Sequence, residues 1–99
     1  MAKTLQSLSQ AQIDKQLETH SEWSQTGDAI QRTYDFDDFI HAMAFVQKMA
    51  EQAERAQHHP DILIRYNKVT LTLSTHDAKG ITKKDFDAAA FADGEYGGS

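Results

Sequence analysis

The residues best suited to chemistry in this chain are three histidines and the carboxylates that flank them. His58 and His59 are adjacent and directly precede the only proline, and His76 follows later in the chain. Glu54 and Asp85 flank this set. Because histidine exchanges protons near neutral pH, three imidazoles around one cleft can supply a general acid and a general base together. The residue types therefore indicate a candidate acid–base site.

The two carboxylates are candidates for orienting the imidazoles. Glu54 lies four residues before His58 on a predicted helix, hence on the same face, and Asp85 can support another histidine in the same way. Each residue also has a structural interpretation. A histidine pair at a helix end can lie on the surface or interact with the helix dipole, Asp85 can be part of a helix cap, and Glu54 can be a solvated helix residue. Spacing alone leaves both interpretations open.

A metal site is the alternative use of the same histidines. Adjacent histidines point their rings in different directions, and the HExxH spacing of zinc enzymes is missing, so we expect no metal. No serine has a recognisable nucleophile setting, and the scattered glycines form no phosphate-binding loop. His20 and His41 are interpreted as surface residues.

Length and composition bound the class of protein. Ninety-nine residues are expected to form a single domain over 1–99. The chain has no cysteine, which excludes disulfides, and its formal net charge of −5 argues against direct nucleic-acid binding. No apolar run approaches the roughly 18 residues of a membrane span, and a secretory signal pattern is absent. We therefore expect a cytoplasmic protein that binds neither nucleic acid nor membrane.

The local patterns predict a helix, two strands, a long helix, two strands and a last helix. The first helix has a capping box of Ser9 and Gln12, Asp35 is expected to cap the long helix, and Thr82 the last one. The predicted ranges are 10–20, 23–25, 29–34, 36–57, 62–66, 68–74 and 82–94, with residues 95–99 frayed. Two antiparallel strand pairs and a long helix predict an α+β fold in which three helices pack on one face of a four-stranded antiparallel sheet.

The long helix has more apolar surface than one sheet can cover. At 100° per residue, the helix has two apolar sides. Phe45 and Met49, with Ala42 and Ala56 beside them, lie on one side and point away from the other apolar face. That face consists of Phe36, Phe39, Ile40, Met43, Val46, Ala50 and Ala53. We expect self-association through residues 36–56, as a homodimer or homotetramer. The alternative is that the first or last helix covers Phe45 and Met49.

Beyond these local patterns, one long spaced motif resembles the signature of the pterin-4a-carbinolamine dehydratases. The motif is Glu54-x3-His58-His59-Pro60-x5-Tyr66-x9-His76-x8-Asp85. The segments at 66–69 and 73–77 are also similar to that family, and the resemblance extends from about Trp23 to Ala92. The element order of the family agrees with the one predicted above.

The resemblance implies a specific enzyme. Family members remove water from 4a-hydroxytetrahydrobiopterin to give quinonoid dihydrobiopterin, in tetrahydrobiopterin recycling, without a metal or redox cofactor. By resemblance, His58, His59 and His76 form the acid–base set with Glu54 and Asp85 as supports. Thr75 and Asp77 fall where the family lines its pterin pocket. The alternative is a non-catalytic protein-interaction module of the same fold that acts through the long helix, with Phe45 and Met49 on its surface.

Two features depart from the animal members of the family. They have an aromatic residue two places after the proline, where this chain has Ile62, and the turn around Gly27 is shorter here. The animal protein also acts as a transcription cofactor, and nothing in this sequence carries that role over.

Overall fold

The computed structural model of the chain describes residues 6–97 and has the expected α+β architecture. Three helices and two pairs of strands follow one another in the predicted order, with one short 3-10 helix (His76–Ala78) before the last helix. The elements are α1 (Gln10–Thr19), β1 (Ser24–Thr26), β2 (Ala29–Asp35), α2 (Phe39–Ala56), β3 (Asp61–Arg65), β4 (Lys68–Leu73) and α3 (Lys83–Gly97).

The four strands form one antiparallel sheet in the order β1-β2-β4-β3. Along β4 the side chains alternate as predicted, and Val69, Leu71 and Leu73 are buried in the core. The other face of the sheet is polar apart from the exposed Leu63, and Thr33 and Thr70 share a hydrogen bond of 2.7 Å between their hydroxyls across β2 and β4. One apolar face and one polar face explain why the helices pack on one side.

The N-terminal capping box of α1 is confirmed. The Ser9 hydroxyl accepts a hydrogen bond from the Gln12 backbone N–H at 3.2 Å, and the Gln12 side chain accepts one from the Ser9 N–H at 2.8 Å. Ile13 buries its side chain in the core, and Leu8 packs against the same cluster. The cap and one buried stripe therefore define this short helix.

The predicted start of α2 was wrong by three residues. Asp38, and not Asp35, caps the helix, because its carboxylate accepts a hydrogen bond from the His41 N–H at 2.9 Å. Phe36, which precedes the cap, bonds to Asn67 instead of to the helix. The Phe36 N–H donates to the Asn67 carbonyl at 2.8 Å, and the Asn67 side chain donates to the Phe36 carbonyl. These bonds to the β3–β4 turn keep Phe36 out of the helix.

The side of α2 that packs into the core is the one that carries Phe45 and Met49. These two residues are buried together with Ala42 and Ala53, whereas the face that includes Ile40 is partly open to solvent. Its exposed members are Phe39 (46%), Ile40 (72%) and Met43 (37%). Phe45 packs against Tyr34 of β2 and Tyr96 of α3. The alternative in which the last helix covers part of this side is therefore the correct one.

Helix α3 runs three residues further than expected. Residues 95–97 are helical, and the Tyr96 hydroxyl donates to the Asp35 carbonyl at 2.8 Å, which ties this end of the helix to β2. The prediction of a frayed end was wrong for these residues, while residues 98–99 lie outside the described part. Along this helix Phe86, Ala89 and Ala92 are buried, whereas Ala90 is exposed. In residues 6–97, no helix combines the length and apolar character needed to cross a membrane.

Candidate active site

A cavity of about 290 Å³ brings together the three histidines that the sequence singled out. It lies where the chain leaves α2 and where β4 passes into the 3-10 helix. Its lining residues are Gln57, His58, His59, Ser74, Thr75, His76, Asp77 and Lys84. Glu54 and Asp85 do not line it, but each contacts one of the histidines from outside the cavity.

The exit from α2 directs the histidine pair. Gln57 ends the helix in the left-handed conformation, with φ of 52°, and its N–H donates to the Ala53 carbonyl. The His58 N–H donates to the same carbonyl at 3.2 Å. Pro60 cannot continue a helix and disfavours helical angles at His59. This reversal leaves His58 with its side chain 9% exposed and His59 with 55% exposed.

His58 is held by a buried carboxylate. Its Nε2 lies 2.9 Å from Oδ1 of Asp85, which is fully buried, and 3.3 Å from the Thr75 hydroxyl. The second Asp85 oxygen, Oδ2, accepts hydrogen bonds of 2.9 Å from the Thr82 N–H and from the Thr75 hydroxyl. Asp85 is also the third residue after the Thr82 cap. The capping and histidine-supporting interpretations of Asp85 therefore both describe its contacts.

Burial raises the pKa of the Asp85 carboxyl above its ordinary value. The hydrogen bonds from Thr82 and Thr75 and the charge of His58 act in the opposite direction but do not cancel the desolvation. His58 Nε2, at 2.9 Å, is the polar group within residues 6–97 that faces the other oxygen, Oδ1.

The helical spacing had placed Glu54 beside His58, but in the structure Glu54 contacts His59. The Glu54 Oε2 lies 2.6 Å from His59 Nε2, and both side chains are largely exposed. The prediction was wrong because α2 ends at Ala56, so His58 is no longer on the helix and the four-residue spacing does not apply. The two carboxylates thus hold two different histidines, one buried and one at the surface.

His76 and Asp77 are the first residues of the 3-10 helix, line the cavity and are both exposed. Two backbone bonds between Thr75 and Gly80 close this loop, of 2.8 and 3.4 Å. Within residues 6–97 the His76 ring has no hydrogen-bond partner. Its two nitrogens are therefore open to a ligand in the cavity.

The sequence reasoning missed Lys84. This residue lines the histidine cavity and also a neighbouring, mainly apolar cavity of about 210 Å³ between α2, α3 and β4. His58 is the other residue that the two cavities share. The available signal was the position of Lys84 directly before Asp85, in the predicted first turn of the last helix.

A second polar cluster that the reasoning missed lies away from the cavity. Asp93 of α3 accepts hydrogen bonds from Trp23 Nε1 at 3.1 Å, Arg32 Nη1 at 2.8 Å and the Tyr34 hydroxyl at 2.5 Å. Burial, together with the bond to Asp93, raises the pKa of Tyr34. The cluster joins α3 to β2 and to the residue before β1. We interpret it as structural.

The other two histidines differ from each other. His41 is exposed and its Nδ1 lies 2.6 Å from the Asp38 carboxylate, as a surface residue would. His20 is half-buried against the Phe86 ring, so its surface interpretation was only partly right. In the part of the chain from 6 to 97, no group of three or more histidine, aspartate or glutamate side chains is arranged to hold a metal ion.

The pterin 4 alpha carbinolamine dehydratase family model matches residues 6–94, and the chain belongs to this family. A relative from Picosynechococcus sp. is 52% identical over 86 residues, which cover 87% of this chain and 94% of the relative. One from Trichormus variabilis is 55% identical over 85 residues, covering 86% of this chain and 91% of the relative. Both are named "Putative pterin-4-alpha-carbinolamine dehydratase".

A solved structure shows the same fold. The crystal structure of a transcriptional coactivator/pterin dehydratase from Brucella melitensis has a TM-score of 0.88 and 30% sequence identity. The match covers 91% of this chain and 98% of the Brucella chain. Family, relatives and fold therefore agree on a pterin dehydratase class.

Proposed function

We propose that this chain removes water from 4a-hydroxytetrahydrobiopterin to give quinonoid dihydrobiopterin, through histidine acid–base catalysis, in tetrahydrobiopterin recycling. The observation that carries the proposal is the cavity on which His58, His59 and His76 meet. Membership of the dehydratase family supports the reaction class. The roles proposed for the individual histidines are supported by their positions and contacts in the cavity.

The reaction requires two proton transfers. The C4a–O bond breaks, and the hydroxyl leaves as water once an acid has protonated it. The neighbouring ring nitrogen N5 loses its proton to a base, and the electron pair of the N–H bond forms the new C4a=N5 double bond. One proton is added and one is removed, so the sum is loss of one water. Imidazoles suit both transfers because they exchange protons near neutral pH.

The three histidines are held differently enough to divide this work. His76 and His59 lie toward the open side of the cavity, where Glu54 accepts a hydrogen bond that fixes the His59 ring. His58 directs Nε2 toward buried Asp85, which leaves Nδ1 as the nitrogen available to a ligand. We propose that His59 and His76 exchange protons with the substrate and that His58 completes the set. Thr75 and Asp77 are the proposed pterin-lining residues.

The test is the rate of dehydration of freshly generated 4a-hydroxytetrahydropterin, followed by absorbance. His59→Ala and His76→Ala are each expected to lower turnover by about 10²–10⁴-fold, the usual contribution of a general acid or base. His41→Ala is the matched control, because His41 is also exposed but lies outside the cavity. If both cavity variants turn over as fast as the control, the site assignment is wrong.

We also propose that copies of the chain associate through α2. Three large apolar side chains, Phe39, Ile40 and Met43, are exposed along the N-terminal half of the helix. Scattered apolar residues are normal on a surface, but adjacent large ones commonly mark an interaction site. The proposed surface lies within residues 36–56, as expected, but excludes Phe45 and Met49, which belong to the core.

A further inference from the structure

The two lysines in the first turn of α3 have different surroundings. Lys83 Nζ lies 3.3 Å from Asp87 Oδ2, an ion pair one helical turn along the surface. Lys84 lines both the histidine cavity and the neighbouring apolar cavity. Within residues 6–97 the Lys84 ammonium has neither an ion-pair nor a hydrogen-bond partner. The chain thus provides an unpaired cation at the site and a paired one beside it.

The position of Lys84 is not explained by stability. The N-terminal turn of a helix carries a partial positive charge, which disfavours cations there. An acidic or neutral side chain would stabilise this turn better. Lys84 therefore brings a cation to the edge of the histidine cavity without stabilising the helix.

The lining of the two cavities shows what that ligand group can be. Lys84 is the one lysine or arginine on the histidine cavity within the described part of the chain. Its methylene stem can lie along the apolar cavity, beside Ala88 and Phe91, while the ammonium extends toward the polar one. An ammonium group has three donors and no acceptor, so its partner must be an acceptor such as a carbonyl oxygen.

We propose that Lys84 binds the substrate by donating a hydrogen bond to the carbonyl oxygen of the pterin ring. This inference rests on the proposed function and adds a residue to it. The ring carbonyl is at C4, the carbon bonded to C4a, where the hydroxyl leaves. A cation on that oxygen therefore fixes C4a and N5 relative to His59 and His76. The interaction is present in bound substrate and transition state alike.

Binding of biopterin, the oxidised and unreactive ring, tests the inference by isothermal titration calorimetry. Lys84→Met is expected to raise Kd about tenfold, the lower end for a hydrogen bond to a charged group because the site is open to water. Lys84→Arg retains a cationic donor and should restore most of the affinity. Lys83→Met is the matched control, with an unchanged Kd. In kinetics, Lys84→Met should raise KM and leave kcat within about twofold, as loss of uniform binding does.

The outcomes separate this inference from the proposed function. Equal Kd values for Lys84→Met and the unaltered protein overturn it, and so does equal weakening by Lys83→Met, which would indicate a general charge effect. If the unaltered protein binds biopterin but does not dehydrate the carbinolamine, the proposed function fails while the Lys84 comparison still decides the inference. If the unaltered protein does not bind biopterin, the Lys84 inference is wrong, and the dehydration rate still decides the proposed function.

Discussion

The pair of His58 and Asp85 links local stability to chemistry. In the first turn of α3, one Asp85 oxygen accepts a hydrogen bond from the Thr82 N–H, and the other oxygen contacts His58 Nε2. A carboxylate at that distance favours the tautomer with the proton on Nε2, which leaves Nδ1 as a proton acceptor. A residue in the first turn of α3 is thus also the one that sets the orientation and tautomer of a site histidine.

Replacing this carboxylate by an amide tests the link. In Asp85→Asn, the amide oxygen can still accept from the Thr82 N–H, so we expect the fold to remain. The amide NH₂ would face His58 Nε2 and favour the opposite tautomer. Turnover should therefore fall on the order of 10²-fold, the lower end of a general-base contribution. Asp87→Asn, at an exposed position of the same helix, is the control. Unchanged turnover in Asp85→Asn would contradict the role given to Asp85.

The same variant tests the raised pKa of Asp85. Because the folded state binds this proton more tightly than the unfolded chain, the carboxyl contributes stability below its ordinary pKa of 3.8 and loses it as the pH rises through the folded-state pKa. Asp85→Asn has no carboxyl at this position, so it does not show this loss of stability as the pH rises. Its free energy of unfolding, measured by urea denaturation across that range, should therefore rise relative to the unaltered protein as the pH increases. A relative fall would mean that the pKa is lowered.

The elements that could be predicted from sequence are those set by local signals. The order of helices and strands, the Ser9 capping box, the alternation along β4 and the helix exit before Pro60 each depend on neighbouring residues. The face of α2 does not. The helix is apolar on two sides, and only packing against Tyr34 and Tyr96, distant in sequence, selects the buried one.

In the site, too, local sequence signals predicted some features, while others depend on contacts between residues distant in the chain. The motif located His58, His59 and His76, which the fold places on one cavity. The pairing of Glu54 could not be predicted, because it depends on where α2 ends to within one turn. Lys84 was missed because its proximity to the cavity arises from how α3 packs against the end of α2, which no local pattern encodes.

The orientation of α2 is testable by stability. Phe45→Ala removes a ring that is 4% exposed and packs against Tyr34, so we expect a loss of about 3–5 kcal/mol. Ile40→Ala truncates a side chain that is 72% exposed, and its effect on the unfolding of a single chain should be within about 0.5 kcal/mol. Urea denaturation at low protein concentration measures both. Comparable losses would mean that the helix presents a different face.

For the whole molecule, the proposed association surface and the candidate site lie at opposite ends of α2. Phe39, Ile40 and Met43 are in its first turns, whereas the histidine cavity begins after its last residue, Ala56. At 1.5 Å per residue, the helix separates Ile40 from its C-terminal end by about 24 Å. Copies can therefore meet through the first turns without covering the cavity.

This separation predicts that assembly and turnover can be uncoupled. Ile40→Glu places a charge on the association surface, where burial against another copy would be strongly unfavourable. We expect sedimentation velocity to show a shift from an oligomer toward the monomer, while dehydration per chain remains within about twofold because the cavity is distant. Ala90→Glu adds the same charge at an exposed position of α3 and should leave the oligomer intact. A monomeric unaltered protein would refute association through α2, and loss of turnover on dissociation would mean that the neighbouring copy supports the site.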